Sequence, residues 1–261
     1  MKRIFVEDVS GNEIVIRGGD ANHLARSLRA RRGDRITAVD GMGKCAVVEL
    51  IDFDRETITA RRVSDIEPIV AANKIILADC LPKQNRFETI IEKATELGVA
   101  KIEPLISDNT IARPNEIRAK TKLERWRKIA KEAAEQCARD TLPEFGEILE
   151  LRDWLKNIEP TLGHFIENKK GEKIFDCKGA LLLFCYEKEI EEKIQNILRK
   201  YKISDCDKDI IILIGPEGGF SEKEVREIKS VGGVSVSLGK RILKTDTAAI
   251  STLAVVQYEL S

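Results

Sequence analysis

A glycine-rich loop, Gly215-Pro216-Glu217-Gly218-Gly219, carries the residues best suited to hold a ligand. Its glycines let the backbone take positive φ angles and approach a ligand closely. Ser221 and Glu224 have the spacing of a capping box, which predicts that a helix begins at Ser221. Glycine loops before helices often bind phosphate, but the Glu217 carboxylate would repel a polyphosphate, and neither Gly-Lys-Ser/Thr nor the spaced dinucleotide glycines are present. A neutral or zwitterionic ligand with a nucleoside part fits better.

A second polar segment, Lys244-Thr245-Asp246-Thr247, follows Leu238-Gly239 and leads into a predicted helix. Its position at a loop-to-helix junction makes Thr245 or Asp246 the expected N-cap. The helix continues with small residues on several faces, which permits close packing. We therefore expect a tightly packed polar junction here.

Other candidates for ligand contact are each open to two interpretations. Lys83 and Arg86 follow a predicted strand end, where ligand-facing residues gather, yet an exposed salt-bridged helix face explains them equally well. Gln136 and Arg139 end a long predicted helix, where a basic residue also suits the helix dipole. His23 lies on an apolar stripe, which is typical of a core or rim histidine. Since the chain has only two histidines, a Ser-His-Asp triad is disfavoured.

The elements that must position these residues fall into two groups. The first 70 residues contain short β segments separated by Gly, Asn or Asp turns, which predict a small β-barrel or sandwich. The predicted strands are 3–7, 13–17, 35–40, 44–53 and 56–63, with one helix-like insertion at 20–31.

After a boundary at 68–73, strands and helices alternate, which predicts an α/β domain over 73–261. Ile210–Ile214 is a run of five aliphatic residues, typical of a parallel strand covered on both faces. The other predicted strands are 74–80, 99–106, 180–186 and 234–238. The predicted helices are 86–97, 117–139, 149–158, 187–202, 221–231 and 245–258, and 163–179 is expected to be a surface excursion.

Composition limits the classes of function. The 261 residues include 44 Lys and Arg and 44 Asp and Glu, so net charge gives no general case for nucleic acid or membrane binding. Basic residues are in local excess over 17–35 and 113–139, although solvated helix faces would explain both. Six cysteines without a Cys-x-x-Cys pair predict no metal site. The absence of a long apolar run or a signal segment predicts a cytoplasmic protein without a membrane span.

The motifs of the two polar segments together closely resemble the RsmE family of SPOUT-class RNA methyltransferases. The resemblance spans nearly the whole chain. It rests on the segments Gly215–Phe220, Leu238–Ala249, Glu92–Val99, Glu124–Trp126 and Glu132–Arg139, and on His23-Leu24, Leu28-Arg29 and Gly33-Asp34.

The resemblance implies an enzyme that uses S-adenosyl-L-methionine (SAM) to methylate N3 of one uridine in 16S ribosomal RNA of the small ribosomal subunit. It also implies a PUA-like RNA-binding β-barrel over 1–70, followed by a SPOUT-type α/β domain with a parallel sheet and a C-terminal trefoil knot in about 210–261. The family acts as a homodimer. No metal is implied.

Residue roles follow from the resemblance position by position. Lys244 would stabilise the uracil anion, and Asp246 would accept the N3 proton or orient the base. The residues implied for the cofactor are Cys185, Gly215, Pro216, Glu217, Gly218, Gly219, Leu238, Gly239, Ile242, Leu243 and Thr247. Those implied for RNA are His23, Arg26, Arg29, Arg31, Lys83, Arg86, Gln136 and Arg139.

The chain departs from the family at its two catalytic positions. The family usually has Arg and Glu where this chain has Lys244 and Asp246. Lysine lacks the bidentate fork of arginine, and aspartate is one methylene shorter than glutamate, although both charge signs are kept. These departures leave open a non-catalytic RNA-binding or ribosome-assembly factor. The pocket motifs alone also leave open a SPOUT enzyme acting on another RNA such as tRNA.

Overall fold

The computed structural model describes residues 2–27, 29–54, 56–67, 74–167, 171, 173–203 and 208–260. The chain forms two compact units. The N-terminal unit comprises Met1–Ala71 and Lys131–Leu142, and the C-terminal unit comprises Ala72–Ala130 and Pro143–Ser261. The expected boundary segment 68–73 lies outside the described residues. Residues 131–142, which the sequence places among the later elements, group with the N-terminal unit.

The N-terminal unit contains one five-stranded sheet. Its strands are β1 (Arg3–Phe5), β2 (Glu13–Arg17), β3 (Arg35–Val39), β4 (Cys45–Phe53) and β5 (Thr57–Ile66), in the order β1-β3-β4-β5-β2. The pair β1-β3 is parallel and the other pairs are antiparallel. In β2, Ile14 and Ile16 are buried while their neighbours are exposed, as the two-residue period of a half-buried strand requires.

One helix of this unit differs from its predicted bounds of 20–31. Helix α1 spans Gly18–Asn22 and continues as a π-helical turn, His23–Ser27. Arg29 has a φ of 48°, in the left-handed region, and the Ala30 N–H donates to the Leu24 carbonyl at 2.9 Å. The helix therefore ends before Arg29 because a left-handed residue cannot continue a right-handed helix.

The C-terminal unit is an α/β domain built on a parallel sheet, as predicted. Its strands are β6 (Ile75–Cys80), β7 (Lys101–Ile106), β8 (Glu144–Phe145), β9 (Leu149–Glu150), β12 (Leu181–Cys185), β13 (Ile210–Ile214) and β14 (Val234–Val236). The order is β14-β12-β13-β6-β7-β8, with β9 also paired to β7. A separate antiparallel hairpin consists of β10 (Phe165–Glu167) and β11 (Lys173–Phe175).

Helices cover both faces of this sheet. They are α2 (Arg86–Glu96), α3 (Glu116–Gln136, of which the residues up to 130 belong to this unit), α4 (Leu151–Ile158), α5 (Ile194–Ile203), α6 (Glu222–Ser230) and α7 (Thr245–Leu260), and α4 is followed by a short 3-10 turn, Glu159–Thr161. On β13, Ile210, Ile212 and Ile214 join the core beside α2, α5 and α7, while Ile211 and Leu213 join the core beside α4 and α6. Burying each such side chain contributes about 1.5–3 kcal/mol, so β13 anchors both layers.

Two expectations about the later part of the domain are wrong. Helix α5 begins at Ile194 rather than at 187, because the Glu189 carboxylate accepts the N–H groups of Glu191 and Glu192 at 3.0 and 3.2 Å and holds a turn there. The segment 163–179 is not only a surface excursion. Phe175 is 2% exposed and packs against Tyr201, with ring centroids 5.5 Å apart.

No helix among the described residues is both long and apolar enough to span a lipid bilayer.

Candidate functional site

A cavity of about 470 Å³ opens in the C-terminal unit beyond the carboxyl ends of β12, β13 and β14. This is the edge at which parallel α/β sheets bind ligands. The volume lies within the range of about 300–1,000 Å³ that is common for small-molecule sites. The cavity is lined by Arg86 and by residues 185–187, 189, 214–220, 236–245 and 248.

The glycine loop follows β13 and forms one wall of this cavity. A Cβ atom on Gly215 would lie 3.0 Å from the Phe220 ring, and one on Gly218 would lie 3.0 Å from Cβ of Asn109. The Asn109 amide donates to the carbonyls of Gly218 and Gly219, at 3.2 and 3.0 Å. Gly219 has a φ of +67°, which side chains with a Cβ rarely adopt. The loop is therefore shaped by neighbours that leave no room for larger residues.

Glu217, in the middle of the loop, is already engaged by the protein. Its carboxylate accepts the backbone N–H of Lys83 at 3.0 Å and forms an ion pair with Arg86 at 3.4 Å. Lys83 and Arg86, which were implied for RNA, thus lie beside the glycine loop. Arg86 also lines the cavity.

The helix after the loop begins as predicted. The Ser221 hydroxyl accepts the Glu224 N–H at 3.2 Å, and the Glu224 carboxylate accepts the Ser221 N–H at 2.8 Å, which completes the capping box. Glu224 is only 1% exposed and also accepts the Asp108 N–H at 2.8 Å. One buried carboxylate therefore links the start of α6 to the segment after β7.

We expect Glu224→Ala to lower the free energy of unfolding by about 3 kcal/mol, because two backbone N–H groups lose their acceptor and each unsatisfied donor costs about 1–3 kcal/mol. Chemical denaturation monitored by circular dichroism measures the change. Glu222→Ala is the matched control, because Glu222 lies in the same first turn but is exposed. Equal losses in the two variants would contradict the structural role of the buried carboxylate.

The second polar segment borders the cavity from the start of α7. Lys244 lines the cavity and is exposed, and its carbonyl accepts the Ala248 N–H at 2.8 Å. Because α7 begins at Thr245, the predicted N-cap at Thr245 or Asp246 is wrong. The Thr245 hydroxyl and Oδ1 of Asp246 are both buried without a hydrogen-bond partner in the described part of the chain. Asp246 and Thr247 do not line the cavity.

Both signs of charge surround the cavity. Glu187, Glu189 and Glu217 contribute carboxylates, and the lining also includes the cations of Arg86, Lys240, Arg241 and Lys244. The Ser235 hydroxyl donates to Glu189 at 2.6 Å and lowers the pKa of that carboxyl below its ordinary value. This mixture suits a zwitterionic ligand.

Cys185, at the end of β12, is a neutral thiol in this wall. Burial raises its pKa to about 11, and its Sγ lies 3.3 Å from the Thr252 hydroxyl. A thiol that stays protonated at neutral pH is a poor nucleophile. The site therefore favours ligand binding by Cys185 over covalent chemistry.

The cavity collects most of the residues implied for the cofactor. All of them line it except Thr247, which is exposed on α7. Glu187, Glu189 and Ser237 also line it but were not among the predicted site residues. They closely follow the predicted strand 180–186 or lie within the predicted strand 234–238, so the rule that ligands gather at strand carboxyl ends could have found them.

The residues implied for RNA are divided between the two units. His23, Arg26, Arg29, Arg31, Gln136 and Arg139 belong to the N-terminal unit, whereas Lys83 and Arg86 belong to the C-terminal unit. The first five are exposed. Arg139 is half-buried, its guanidinium lies within 3.4 Å of the Thr141 hydroxyl, and burial lowers its pKa from the ordinary value.

Among the residues that the structure describes, no group of three or more His, Cys, Asp or Glu side chains is arranged to hold a metal ion.

Comparison with known proteins agrees with this site. The family described as "RNA methyltransferase domain" matches residues 71–257, and the family described as "RNA methyltransferase PUA domain" matches residues 16–61. These matches confirm the resemblance found in the sequence and the PUA-like character of the N-terminal unit.

Individual relatives match over nearly the whole chain. The ribosomal RNA small subunit methyltransferase E of Synechocystis is 31% identical over 252 residues, covering 95% of this chain and 74% of the relative. That of Bacillus subtilis is 29% identical over 245 residues, covering 94% and 89%. The crystal structure of the Neisseria gonorrhoeae protein of the same name, bound to S-adenosyl methionine, superimposes with a TM-score of 0.82 at 26% identity, covering 99% of this chain and 97% of that one.

Proposed function

This chain belongs to the RNA methyltransferase family that matches residues 71–257, and on that premise we propose that it transfers a methyl group from SAM to 16S ribosomal RNA of the small ribosomal subunit. One observation carries the proposal: the cavity beyond β12, β13 and β14 is lined by the glycine loop and the 238–244 segment, in a chain similar over 99% of its length to a relative crystallised with SAM. The specific target that we propose is N3 of one uridine.

The cavity has the size and chemistry that SAM requires. Gly218 and Gly239 keep the walls free of side chains, and a Cβ on Gly239 would meet no atom within 4 Å. The carboxylates of Glu187 and Glu189 complement a sulfonium and an ammonium group. SAM supplies an electrophilic methyl group on its sulfonium. We propose that the glycine loop, Cys185, Leu238-Gly239 and Ile242-Leu243 hold it. Thr247 has no part in this proposal, because its side chain is exposed on α7.

Two residues near the start of α7 are proposed to act on the uracil. The N3–H of uracil is a weakly acidic imide, so methylation needs removal of its proton and stabilisation of the charge that develops on O2 or O4. Lys244 lines the cavity and supplies a cation for that charge. Asp246 accepts the N3 proton or orients the base. Placement of N3 in line with the methyl group would supply much of the remaining acceleration.

The finer architecture is also a proposal. We propose a PUA-like RNA-binding domain over 1–70, a SPOUT domain over 73–261 with a trefoil knot in about 210–261, and a homodimer. Ile242 and Tyr258 are 86% and 80% exposed, which supports a partner surface at or near α7. The described cysteines 45, 80, 137 and 185 are free thiols, which supports a reducing cytoplasm.

RNA contact through the N-terminal unit predicts salt-dependent binding. His23, Arg26, Arg29 and Arg31 are exposed, and arginines that neutralise phosphates release counterions. We expect Arg26→Ala combined with Arg31→Ala to lower the slope of log affinity against log salt by about 1 for each phosphate that is no longer neutralised. Filter binding to 16S RNA at about 50 to 200 mM salt measures this. Lys2→Ala, at an exposed position, is the control. A slope no lower than that of the control would show that these arginines do not contact RNA phosphates.

Methyl transfer from labelled SAM to unmodified 16S ribosomal RNA and to small subunits tests the proposed function. Mass spectrometry of the digested product should identify 3-methyluridine. Methylation of tRNA instead would make the chain an enzyme for another RNA. SAM binding without product on any of these substrates would support a non-catalytic RNA-binding or assembly factor.

A further inference from the structure

A carboxyl group that the proposed mechanism does not use is buried in the sheet beside the cavity. Asp79 is 0% exposed near the carboxyl end of β6, where it pairs in register with Ile214 of β13 and Pro104 of β7. Ile214 itself lines the cavity. Neither carboxyl oxygen of Asp79 has a hydrogen-bond partner among the described residues. An ionised carboxylate in such a place would be very unfavourable.

Asp79 lies on the sheet face that α7 covers. The alternation of β6 puts Ile75, Leu77 and Asp79 on one face, and the first two belong to the core that contains Ala249 and Leu253 of α7. Asp79 is therefore on the same side of the sheet as the helix that carries Asp246. A run of apolar side chains that ends in one buried acid is unusual, and such groups often mark functional sites.

The ionisable groups that act on Asp79 all favour its neutral form. Burial raises the pKa of Asp79 well above its ordinary value, and the charges of Glu217 and Asp246 raise it further. Burial raises the pKa values of the nearby thiols of Cys80 and Cys185 as well, which favours their neutral forms. Full burial without a partner, beside two carboxylates, therefore favours the protonated form of Asp79, which has one O–H to donate.

Of the two carboxylates that act on Asp79, one is free to accept that hydrogen bond. Glu217 is engaged by the Lys83 N–H and by Arg86. Asp246 has a buried Oδ1 without a partner in the described residues, and the protonated Asp79 has a donor without an acceptor. A single hydrogen bond between the two groups would satisfy both, and buried polar groups in folded proteins are rarely left unsatisfied.

We propose that Asp79 is a positioning residue that donates a hydrogen bond from its protonated carboxyl to the Asp246 carboxylate and holds that carboxylate oriented toward the uracil. In the reaction, the proton that leaves N3 goes to Asp246, the N3 electron pair forms the bond to the methyl carbon as the bond from that carbon to the SAM sulfur breaks, and Asp79 keeps its own proton. The role of Asp246 rests on the proposed function. The protonated state of Asp79 does not.

The protonation state can be measured without turnover. Infrared spectroscopy of the full-length protein at pH near 7 should show a carboxylic acid C=O band that is lost in Asp79→Asn. In Asp246→Asn the band should shift and should disappear at a lower pH than in the wild type, because one of the two charges that favour the neutral acid is gone. A wild-type protein without the Asp79 band at neutral pH, or a band that Asp246→Asn leaves unchanged, would overturn the proposal.

The pH dependence of single-turnover methyl transfer tests the positioning role. Asp79→Asn keeps an N–H donor. The acid limb of its rate profile, where the rate falls as the pH is lowered, should therefore lie at the same pH as in the wild type. Asp79→Leu keeps the branch at Cγ but has no donor, so its acid limb should move to higher pH by about one unit. At pH values below that limb, its rate should be roughly tenfold lower than that of the wild type.

The direction of the shift separates the alternatives. If Asp79 were ionised, both variants would remove a negative charge, and the acid limb would move to lower pH in both. If Asp79 were only structural, Asp79→Leu would lower the melting temperature and leave the acid limb in place. Either result overturns the proposal. A wild-type protein that fails to methylate any RNA would overturn the proposed function instead, and the infrared comparison would still decide whether Asp79 and Asp246 share the hydrogen bond.

Discussion

Lys244→Ala is expected to reduce methyl transfer at saturating SAM and RNA by about 10²–10³-fold, the usual cost of removing one preorganised group that stabilises developing charge. The effect should be on kcat, because the Lys244 cation meets its partner charge only as the uracil loses its N3 proton. Single-turnover transfer of labelled methyl groups measures the loss, and isothermal titration calorimetry should show SAM affinity within about threefold of the wild type.

Two further variants sharpen this prediction. Lys244→Arg restores the residue that the family usually has at this position and should retain most of the rate, because the positive charge is kept and a planar donor fork is added. Lys156→Ala is the matched control, because Lys156 is exposed on α4, away from the cavity lining, and forms an ion pair with the exposed Asp153. Undiminished turnover in Lys244→Ala would show that Lys244 has no part in methyl transfer.

Gly219→Val is expected to weaken SAM binding by about 10²-fold. Its backbone is in the left-handed region, where a β-branched residue is strained by roughly 1–3 kcal/mol, and each 1.4 kcal/mol is worth about a factor of ten in affinity. A Cβ atom would also lie 3.0 Å from the Glu187 carboxylate, so a side chain at the cavity wall has to move. Gly219→Ala should show a smaller loss of about tenfold.

Gly98→Val separates loss of the site from loss of stability. Gly98 also has a positive φ, +84°, but it follows α2 away from the cavity lining, and a Cβ there would meet only the Gln257 side chain, at 3.7 Å. Gly98→Val should lower the melting temperature about as much as Gly219→Val does, but it should leave the SAM affinity unchanged. Equal affinity losses in the two variants, measured by calorimetry on folded protein, would show that the glycine loop has no special part in binding SAM.

Local sequence patterns were enough to predict the strand and the helix start that flank the glycine loop. Ile210–Ile214 is a fully buried central strand, and Ser221 with Glu224 forms the predicted capping box. Both depend on interactions within a few residues, which neighbouring side chains determine directly. The same reasoning placed the glycine loop beside the cavity, because a ligand site beyond a parallel strand follows from the strand and the loop alone.

Local patterns failed where a distant partner or a single side chain overrode them. Glu189 holds a turn with its own carboxylate where the charge pattern predicted a helix from 187. Phe175 is buried against Tyr201 although the surrounding Lys, Glu and Gly residues are typical of a surface loop. Residues 131–142 belong to the N-terminal unit, although 131–136 complete a helix that begins in the later domain.

The sequence by itself determined the two kinds of domain, five of the seven described strands of the parallel sheet, and the family, because periodicity and contiguous motifs are properties of the chain. Only the tertiary structure decided that Glu217 is engaged by Lys83 and Arg86, and that Asp79 is a buried acid whose pKa is raised by burial and by the charges of Glu217 and Asp246. In each case the interacting partners lie more than a hundred residues apart along the chain. Their ionisation depends on burial and on neighbours that only the folded sheet and helices bring together.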